Sequence, residues 1–193
     1  MRFSKLSLAG TVLVVAILIT LLSVIIAVVL YPGFDMTTHL VDELAFGPYA
    51  LIYPVASLIL CGLLLISAAL LIQNSSKQKL FPSLLVITGI ITVGLGVFTA
   101  SYSFHALIGL IWVVFGSLTA IFTYKIVKSQ ALRYLSVILV VAALISLFFI
   151  VSGTTFGIGI GLIGLPGGFA FFVWALILGL YLTFGKADVS AKQ

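Results

Sequence analysis

The sequence predicts an all-α membrane protein, a bundle of six transmembrane helices with a short amphipathic helix in one outer loop. Three observations support this prediction. The chain is 63% hydrophobic and only 7% charged, which leaves too little polar surface to cover a water-soluble domain. Six apolar runs are long enough to cross a hydrocarbon layer as helices. The charged residues fall between these runs, so the bilayer is the expected solvent for most of the chain.

We predict a single six-helix domain over residues 1–193. The first apolar run is longer than the core of a signal peptide and no small-residue cleavage site follows it, so we expect it to remain in the membrane. The start of the sixth span is the least defined, because a glycine-rich stretch from Gly153 to Gly168 precedes it. The predicted spans cover residues 6–30, 49–72, 80–100, 104–124, 131–151 and 166–184.

The basic residues predict how the chain crosses the membrane. With six spans, all 9 of them fall on one side. Because cytoplasmic loops carry an excess of Lys and Arg, we expect a multi-pass protein of the cell membrane with both termini in the cytoplasm. The net charge of +5 does not indicate nucleic-acid binding, since the basic residues never form a continuous patch. They are Arg2, Lys5, Lys77, Lys79, Lys125, Lys128, Arg133, Lys186 and Lys192.

The opposite, extracytoplasmic side receives the one long polar interruption, Tyr31 to Pro48, which holds three of the 4 carboxylates. Asp35 is suited to cap a helix, and Gly47 followed by Pro48 is suited to end one. A helix over about residues 36–46 would carry apolar and polar side chains on opposite faces. That pattern is typical of an amphipathic helix lying on a membrane surface.

The candidate functional residues lie on this outer side. In a helix, His39 is three and four residues before Asp42 and Glu43, so the three side chains would share one face. His105, at the outer start of the fourth span, could add a second imidazole. Such a set could hold a divalent metal that activates water, perform acid–base catalysis, or sense pH. The interpretation we favour is a solvated acidic helix with no metal and no cofactor.

The predicted spans contain no deeply placed ionisable residue, which argues against a pump or an ion-coupled transporter. Hydroxyl side chains such as Ser57, Thr88, Thr92 and Ser146 are expected to bond back to their own helices. The glycine-rich stretch has no basic residue, so we expect a buried connection rather than a phosphate-binding loop. Small residues predict close packing of spans three and four as a hairpin. These residues are Gly89, Gly94, Gly96, Gly109 and Gly116.

Several stretches resemble a known family. They are DELAFGPYALIYPVASLILCGLLLI from Asp42, FHALIGLIWVVFGSLTAI from Phe104, and the glycine-rich loop before the span with Trp174. Together they resemble the six-span prokaryotic family called domain of unknown function 998. The resemblance implies six spans and carries no established activity. Family members typically show a Ser-acid-Leu-Gly element, which Glu43 and Leu44 match in part, and an acid–Arg pair near span six, which this sequence lacks.

The sequence therefore favours a non-catalytic protein, either an accessory or scaffold subunit of a larger membrane complex or a lipid-interacting bundle. The expected partners are membrane lipids and other membrane subunits, with respiratory assemblies as one class of host, and no nucleic acid. One alternative is an outward-facing, metal-assisted hydrolase or transferase acting on lipid headgroups. Another is an uncoupled transporter. The enzyme would use the candidates His39, Asp42, Glu43 and His105.

Overall fold

The computed structural model describes residues 4–51, 55–98 and 105–185, leaving out the side chains of residues 45 and 46. This part of the chain contains six α-helices and no strand, and each helix is long and apolar enough to cross a membrane. The predicted all-α, six-span fold is confirmed. The helices are α1 (Lys5–Leu30), α2 (Ala56–Gln73), α3 (Leu80–Val97), α4 (His105–Phe122), α5 (Gln130–Ser152) and α6 (Ile160–Phe184).

The helices form a closed ring. Each helix contacts the next one along the chain, α6 returns to contact α1, and α4 also contacts α6 across the ring. Apolar side chains such as Leu13, Phe81 and Trp174 fill the interior. Large apolar side chains such as Leu22 and Phe148 are exposed on the outside of the ring, as expected of a surface that faces lipid.

The described basic residues and the described acidic residues lie at opposite ends of the ring of helices. The six described basic residues lie where α1, α3 and α5 begin, an end that we call the basic face. Asp35, Asp42 and Glu43 lie in residues 31–51 at the other end, which we call the loop face. The basic residues are Lys5, Lys77, Lys79, Lys125, Lys128 and Arg133; Arg2, Lys186 and Lys192 lie outside the described residues.

Glycines set the closest helix contacts. A Cβ atom added to Gly62 of α2 would lie 2.5 Å from the carbonyl oxygen of Gly89 on α3. One added to Gly89 would lie 2.8 Å from the carbonyl oxygen of Gly62. Gly10 of α1 and Gly179 of α6 oppose each other in the same way. Any side chain would push these backbones apart, so the two glycine pairs fix the spacing of α2 against α3 and of α1 against α6.

The expected glycine contact between α3 and α4 is wrong for four of the five glycines; only Gly94 faces the other helix, where an added Cβ atom would lie 3.8 Å from the side chain of Ile108. Gly89 and Gly96 face α2, and Gly116 of α4 faces the ring of Phe171 on α6. The two helices are nevertheless neighbours, as predicted. Part of their contact comes from larger polar side chains, because the hydroxyl oxygens of Thr88 and Thr119 lie 2.9 Å apart between them.

Two of these hydroxyl side chains make hydrogen bonds to a neighbouring helix. Ser57 of α2 accepts a hydrogen bond from Ser23 of α1 at 2.9 Å, and Ser146 of α5 reaches the backbone of α6. Thr88 and Thr92 do donate to carbonyl groups of their own helix, as predicted. The cross-helix bonds therefore tie α1 to α2 and α5 to α6.

The sixth helix begins at Ile160, earlier than the predicted start near residue 166, and so contains Pro166. Proline has no N–H to donate, and its ring disturbs the preceding turn of a helix. Ser146 compensates for this disturbance. Its hydroxyl donates to the carbonyl of Ile163 and accepts the N–H of Gly167 at 3.1 Å. These two backbone groups are the pair that would bond to each other in an uninterrupted helix.

The second helix begins at Ala56, later than the predicted start at residue 49. Residues 48–50 form a turn in which the N–H of Ala50 donates to the carbonyl of Gly47 at 3.1 Å. The carbonyl of Ala50 in turn accepts the N–H of Val55 at 3.0 Å, a bond across five residues instead of the four of an α-helix. Residues 52–54, and residues 99–104 between α3 and α4, lie outside the described residues.

Replacing Ser146 with alanine should lower the free energy of unfolding by about 1 to 3 kcal/mol, because two buried backbone groups lose their partner. Ser136→Ala is the matched control. Ser136 is also buried on α5, but its hydroxyl only donates back to Leu132 of the same helix. Its removal should change the free energy of unfolding much less. Unfolding of the purified variants in detergent, followed by circular dichroism, would measure both; equal losses would contradict the bridging role.

Candidate functional site

The loop face does not carry the α-helix predicted over residues 36–46. Residues 36–38 form a turn, and a short 3-10 helix follows at Val41–Phe46. The carboxylate of Asp35 accepts the backbone N–H and the hydroxyl of Thr37, both at 2.8 Å. These two bonds, the backbone one first, hold the pKa of Asp35 below its usual value. Such local bonds compete with helix formation, so the cap closes a turn instead of starting an α-helix.

The extended backbone of Leu40 separates His39 from the 3-10 helix. His39 therefore does not share a helical face with Asp42 and Glu43. Its Nδ1 lies 3.2 Å from the backbone N–H donor of Asp35. Glu43 turns back along the chain and accepts the N–H of Leu40 at 3.1 Å. Both side chains thus satisfy the backbone of their own segment.

Asp42 and His105 are the candidate residues that the structure brings together. Oδ2 of Asp42 lies 3.5 Å from Nε2 of His105, and this pair joins the 3-10 helix to the start of α4. Nδ1 of His105 lies 2.6 Å from the carbonyl oxygen of Phe98. A carbonyl only accepts, so Nδ1 carries a proton and Nε2 is left to face the carboxylate. The two attract each other only when Nε2 is protonated too, or when a cation lies between them.

The Asp42–His105 pair is asymmetric in its exposure. The Asp42 side chain is 67% exposed and the His105 side chain only 14%. Nε2 of His105 is buried and makes no hydrogen bond to the described residues. In the described part of the chain, no group of three or more His, Cys, Asp or Glu side chains lies close enough together to hold a metal. Nε2 of His105 and Oδ2 of Asp42 are two potential metal ligands, fewer than the three or four protein ligands of a zinc site.

The end of the glycine-rich stretch, at the start of α6, contacts the loop that joins α1 to α2. The N–H of Gly161, in the first turn of α6, donates to the carbonyl of Thr37 at 3.1 Å. A Cβ atom at Gly161 would collide with the carbonyl oxygens of Met36 and His39. The glycines therefore let the turn at residues 36–38 lie directly on the start of α6. The expectation of a buried connection is wrong for residues 153–158, which are mostly exposed. Contact between the start of α6 and the loop was not among the expectations.

A crevice opens on the side of the ring between α4 and α5, with α6 at its floor. Its enclosed part is small, about 20 Å³, which is room for about one water molecule, and the rest of the gap is open to the surroundings of the ring. Among the neighbouring pairs in the ring, α4 and α5 make the least contact within the described residues. Small residues leave the gap that larger side chains would fill. They are Gly116, Ala120, Ala143, Gly167 and Ala170.

Two tryptophans line this crevice. The indole N–H of Trp112 donates to Thr92 at 2.8 Å, and that of Trp174 donates to Thr123 at 3.1 Å. Their polar atoms are thus bound inside the ring, and the crevice is lined mainly by carbon. The half-exposed side chains of Val113, Ser117 and Leu139 mark its mouth. The Gly116-x-x-x-Ala120 spacing was a readable signal for this gap.

These features define a multi-pass membrane protein built as a closed ring of six helices. A family model described as "Protein of unknown function (DUF998)" matches residues 14–181, and the chain belongs to this family. The resemblance seen in the sequence is thereby confirmed. No curated protein and no solved structure matches the chain.

The Asp42–His105 pair should contribute little to stability, because Asp42 is largely exposed. In a double-mutant cycle of Asp42→Asn and His105→Gln, the coupling free energy should stay below about 1 kcal/mol. Unfolding in detergent at neutral pH would measure it. A coupling above about 2 kcal/mol would show instead that the pair is shielded from water, as catalytic pairs often are.

Proposed function

We propose that this chain is a non-catalytic membrane protein that works by holding lipid at its side. The observation that supports this most directly is the crevice between α4 and α5, at the middle of the helices that form it. At that depth a membrane offers hydrocarbon chains as the available solvent. The loop face supports the same view, since His39 and Glu43 bond to their own segment.

In this proposal the protein is also an accessory or scaffold subunit of a larger membrane complex. The connections at the basic face are short, with residues 74–79 joining α2 to α3 and residues 126–129 following the 3-10 turn after α4. They leave no room there for a soluble catalytic domain. A lipid held at the side of a small bundle is one means by which such a subunit contacts its neighbours.

A second candidate function is metal-assisted hydrolysis or group transfer on lipid headgroups at the loop face. The specific observation is the buried Nε2 of His105, which faces Asp42 at 3.5 Å. Two ligand atoms at that separation can both bind one zinc ion, whose bonds to nitrogen and oxygen are about 2.1 Å. His39 and Glu43 would have to leave their backbone partners to complete the site.

The lipid-holding function and the metal-assisted reaction can be distinguished with one preparation of the protein. Purified in mild detergent and examined by native mass spectrometry, the protein should carry adducts with the mass of membrane lipids. Elemental analysis of the same sample should find less than one metal ion per chain, and Asp42→Asn should not change that content. Stoichiometric zinc that is lost in Asp42→Asn would favour the hydrolase. A lipid-free and metal-free monomer without other subunits would contradict the proposed function.

We propose further that the basic face lies in the cytoplasm, because positively charged connections are retained on that side. Thr38 on the loop face and Lys77 on the basic face are both exposed, while the native Cys61 is buried. In intact cells a membrane-impermeant maleimide should therefore label Thr38→Cys and spare Lys77→Cys. Permeabilised cells should show labelling of both. Labelling of Lys77→Cys alone in intact cells would reverse the orientation.

A further inference from the structure

The connection between α5 and α6, residues 153–159, presents apolar side chains on the outside of the protein. Phe156 is 69% exposed and Ile158 is 56% exposed. The sequence of the connection is GTTFGIG, which contains no ionisable residue. Apolar surface of this kind is unfavourable in water, so its exposure indicates a surface that an apolar partner covers.

These side chains continue the lipid-facing surface of α5. The phenyl group of Phe156 meets that of Phe149 edge-on, with ring centroids 5.0 Å apart. Phe149 in turn meets Phe148 of the same helix at 5.6 Å, and Phe148 is exposed on the outside of the bundle. The three phenyl groups therefore form a continuous apolar strip from the side of α5 to the connection.

Phe156 reaches this position through an unusual backbone conformation. Its φ angle is 50°, in the left-handed region that residues with a side chain rarely adopt. A bulky residue stays in such a conformation when its surroundings hold its side chain. The contact with Phe149 covers one side of the phenyl group. Its exposed side is left for a partner outside the chain.

The length of α5 places the connection at the membrane boundary. A helix of 23 residues is about 34 Å long, and the hydrocarbon layer of a bilayer is about 30 Å thick. The helix therefore leaves the hydrocarbon close to its last residue, Ser152. The connection begins there, at the depth where headgroups meet the lipid chains. Segments at this depth rest on the membrane with their apolar side chains inserted.

The backbone of the connection suits this boundary because several of its N–H groups have partners within the protein. Those of Gly153 and Thr154 each donate at 3.2 Å to carbonyls in the last turns of α5. That of Ile158 donates to the carbonyl of Thr155 at 3.0 Å. A segment that satisfies its polar groups internally can enter a region poor in water at low cost.

The end of the same connection touches the loop between α1 and α2. A Cβ atom at Gly159 would collide with the carbonyl oxygen of Thr37. The N–H of Gly161, two residues later, donates to that same carbonyl. A contact that fixes the connection on the membrane therefore also fixes the turn at residues 36–38.

We propose that the α5–α6 connection is a membrane-surface anchor, in which Phe156 and Ile158 insert into the headgroup boundary of the bilayer at the loop face. The partner is the lipid surface itself. Because the connection carries no charge, insertion depends on apolar area and is independent of headgroup charge. The anchor lies outside the crevice and does not rest on the proposed lipid-holding function. It holds the start of α6, and with it the loop, at a fixed depth.

The depth of the connection can be measured with a nitroxide spin label on Thr154→Cys of the full chain in phosphatidylcholine vesicles. Thr154 is exposed, and the native Cys61 is buried. The readout is the ratio of label collisions with oxygen, which concentrates in the bilayer, to collisions with a neutral, water-soluble nickel chelate. This ratio should be on the order of threefold higher than for a label on Thr38→Cys, because an inserted segment is shielded from water. Added phosphatidylglycerol should not change it.

Removing the two apolar side chains should move the label toward water. In Phe156→Gly/Ile158→Ser the collision ratio of the label on Thr154→Cys should fall to that of the label on Thr38→Cys. The glycine adopts a φ of 50° without strain, so the backbone of the connection is kept. Leu51→Ser is the matched control, because Leu51 is another exposed apolar side chain at the loop face. It should leave the ratio unchanged.

If the double variant does not fold, Ile158→Ser alone should lower the collision ratio by a smaller amount. The inference is overturned if the unmodified connection meets the nickel chelate as often as the label on Thr38→Cys does. The exposed side chains would then face water and be open to a partner protein. Equal effects of Phe156→Gly/Ile158→Ser and Leu51→Ser would also overturn it. Neither result changes the lipid adducts in the mass spectrum, so the proposed function is tested separately.

Discussion

The constraint on which this structure depends is that every backbone N–H and C=O in hydrocarbon needs a partner within the protein. A proline inside a spanning helix breaks that rule unless another group intervenes. Beside Pro166 the hydroxyl of Ser146 does so: it accepts a hydrogen bond from the N–H of Gly167 and donates one to the carbonyl of Ile163. Gly167 permits the approach, since a Cβ there would lie 2.9 Å from the serine oxygen. One hydroxyl thus both repairs α6 and fixes α5 against it.

Polar groups along α6 find partners in three other parts of the chain. The start of this helix lies under the loop, where the N–H of Gly161 finds the carbonyl of Thr37. Its middle bonds to Ser146, and Trp174, lower on the same helix, donates to Thr123 in the turn after α4. The loop face, the crevice floor and the connection near the basic residues are therefore all positioned by one helix. The α6 helix thus connects the crevice to the loop face.

Much of the fold could be predicted from the sequence because each segment that spans a bilayer must be a helix of about 20 mostly apolar residues. The number of helices followed from the length of the apolar runs, and the pairing of α3 with α4 was predicted; the contacts of α2 with α3 and of α1 with α6 were not. The start of α6 could not be predicted, since it depends on a serine from another helix that makes a proline tolerable. The site was predicted less well. Asp42 and His105 do meet, but His39 does not join them, because the local bonds of Asp35 replace the expected helix with a turn.

The opposed glycines Gly10 and Gly179 close the ring between its first and last helices. During synthesis, α1 enters the membrane before α6 is made, so until then its glycine surface contacts lipid or another protein. The bundle becomes complete only when the last span arrives and covers that surface. If synthesis stopped before α6, the first five helices would form an incomplete ring. The uncovered surface of α1 would then be the feature by which membrane quality control could recognise the truncated chain.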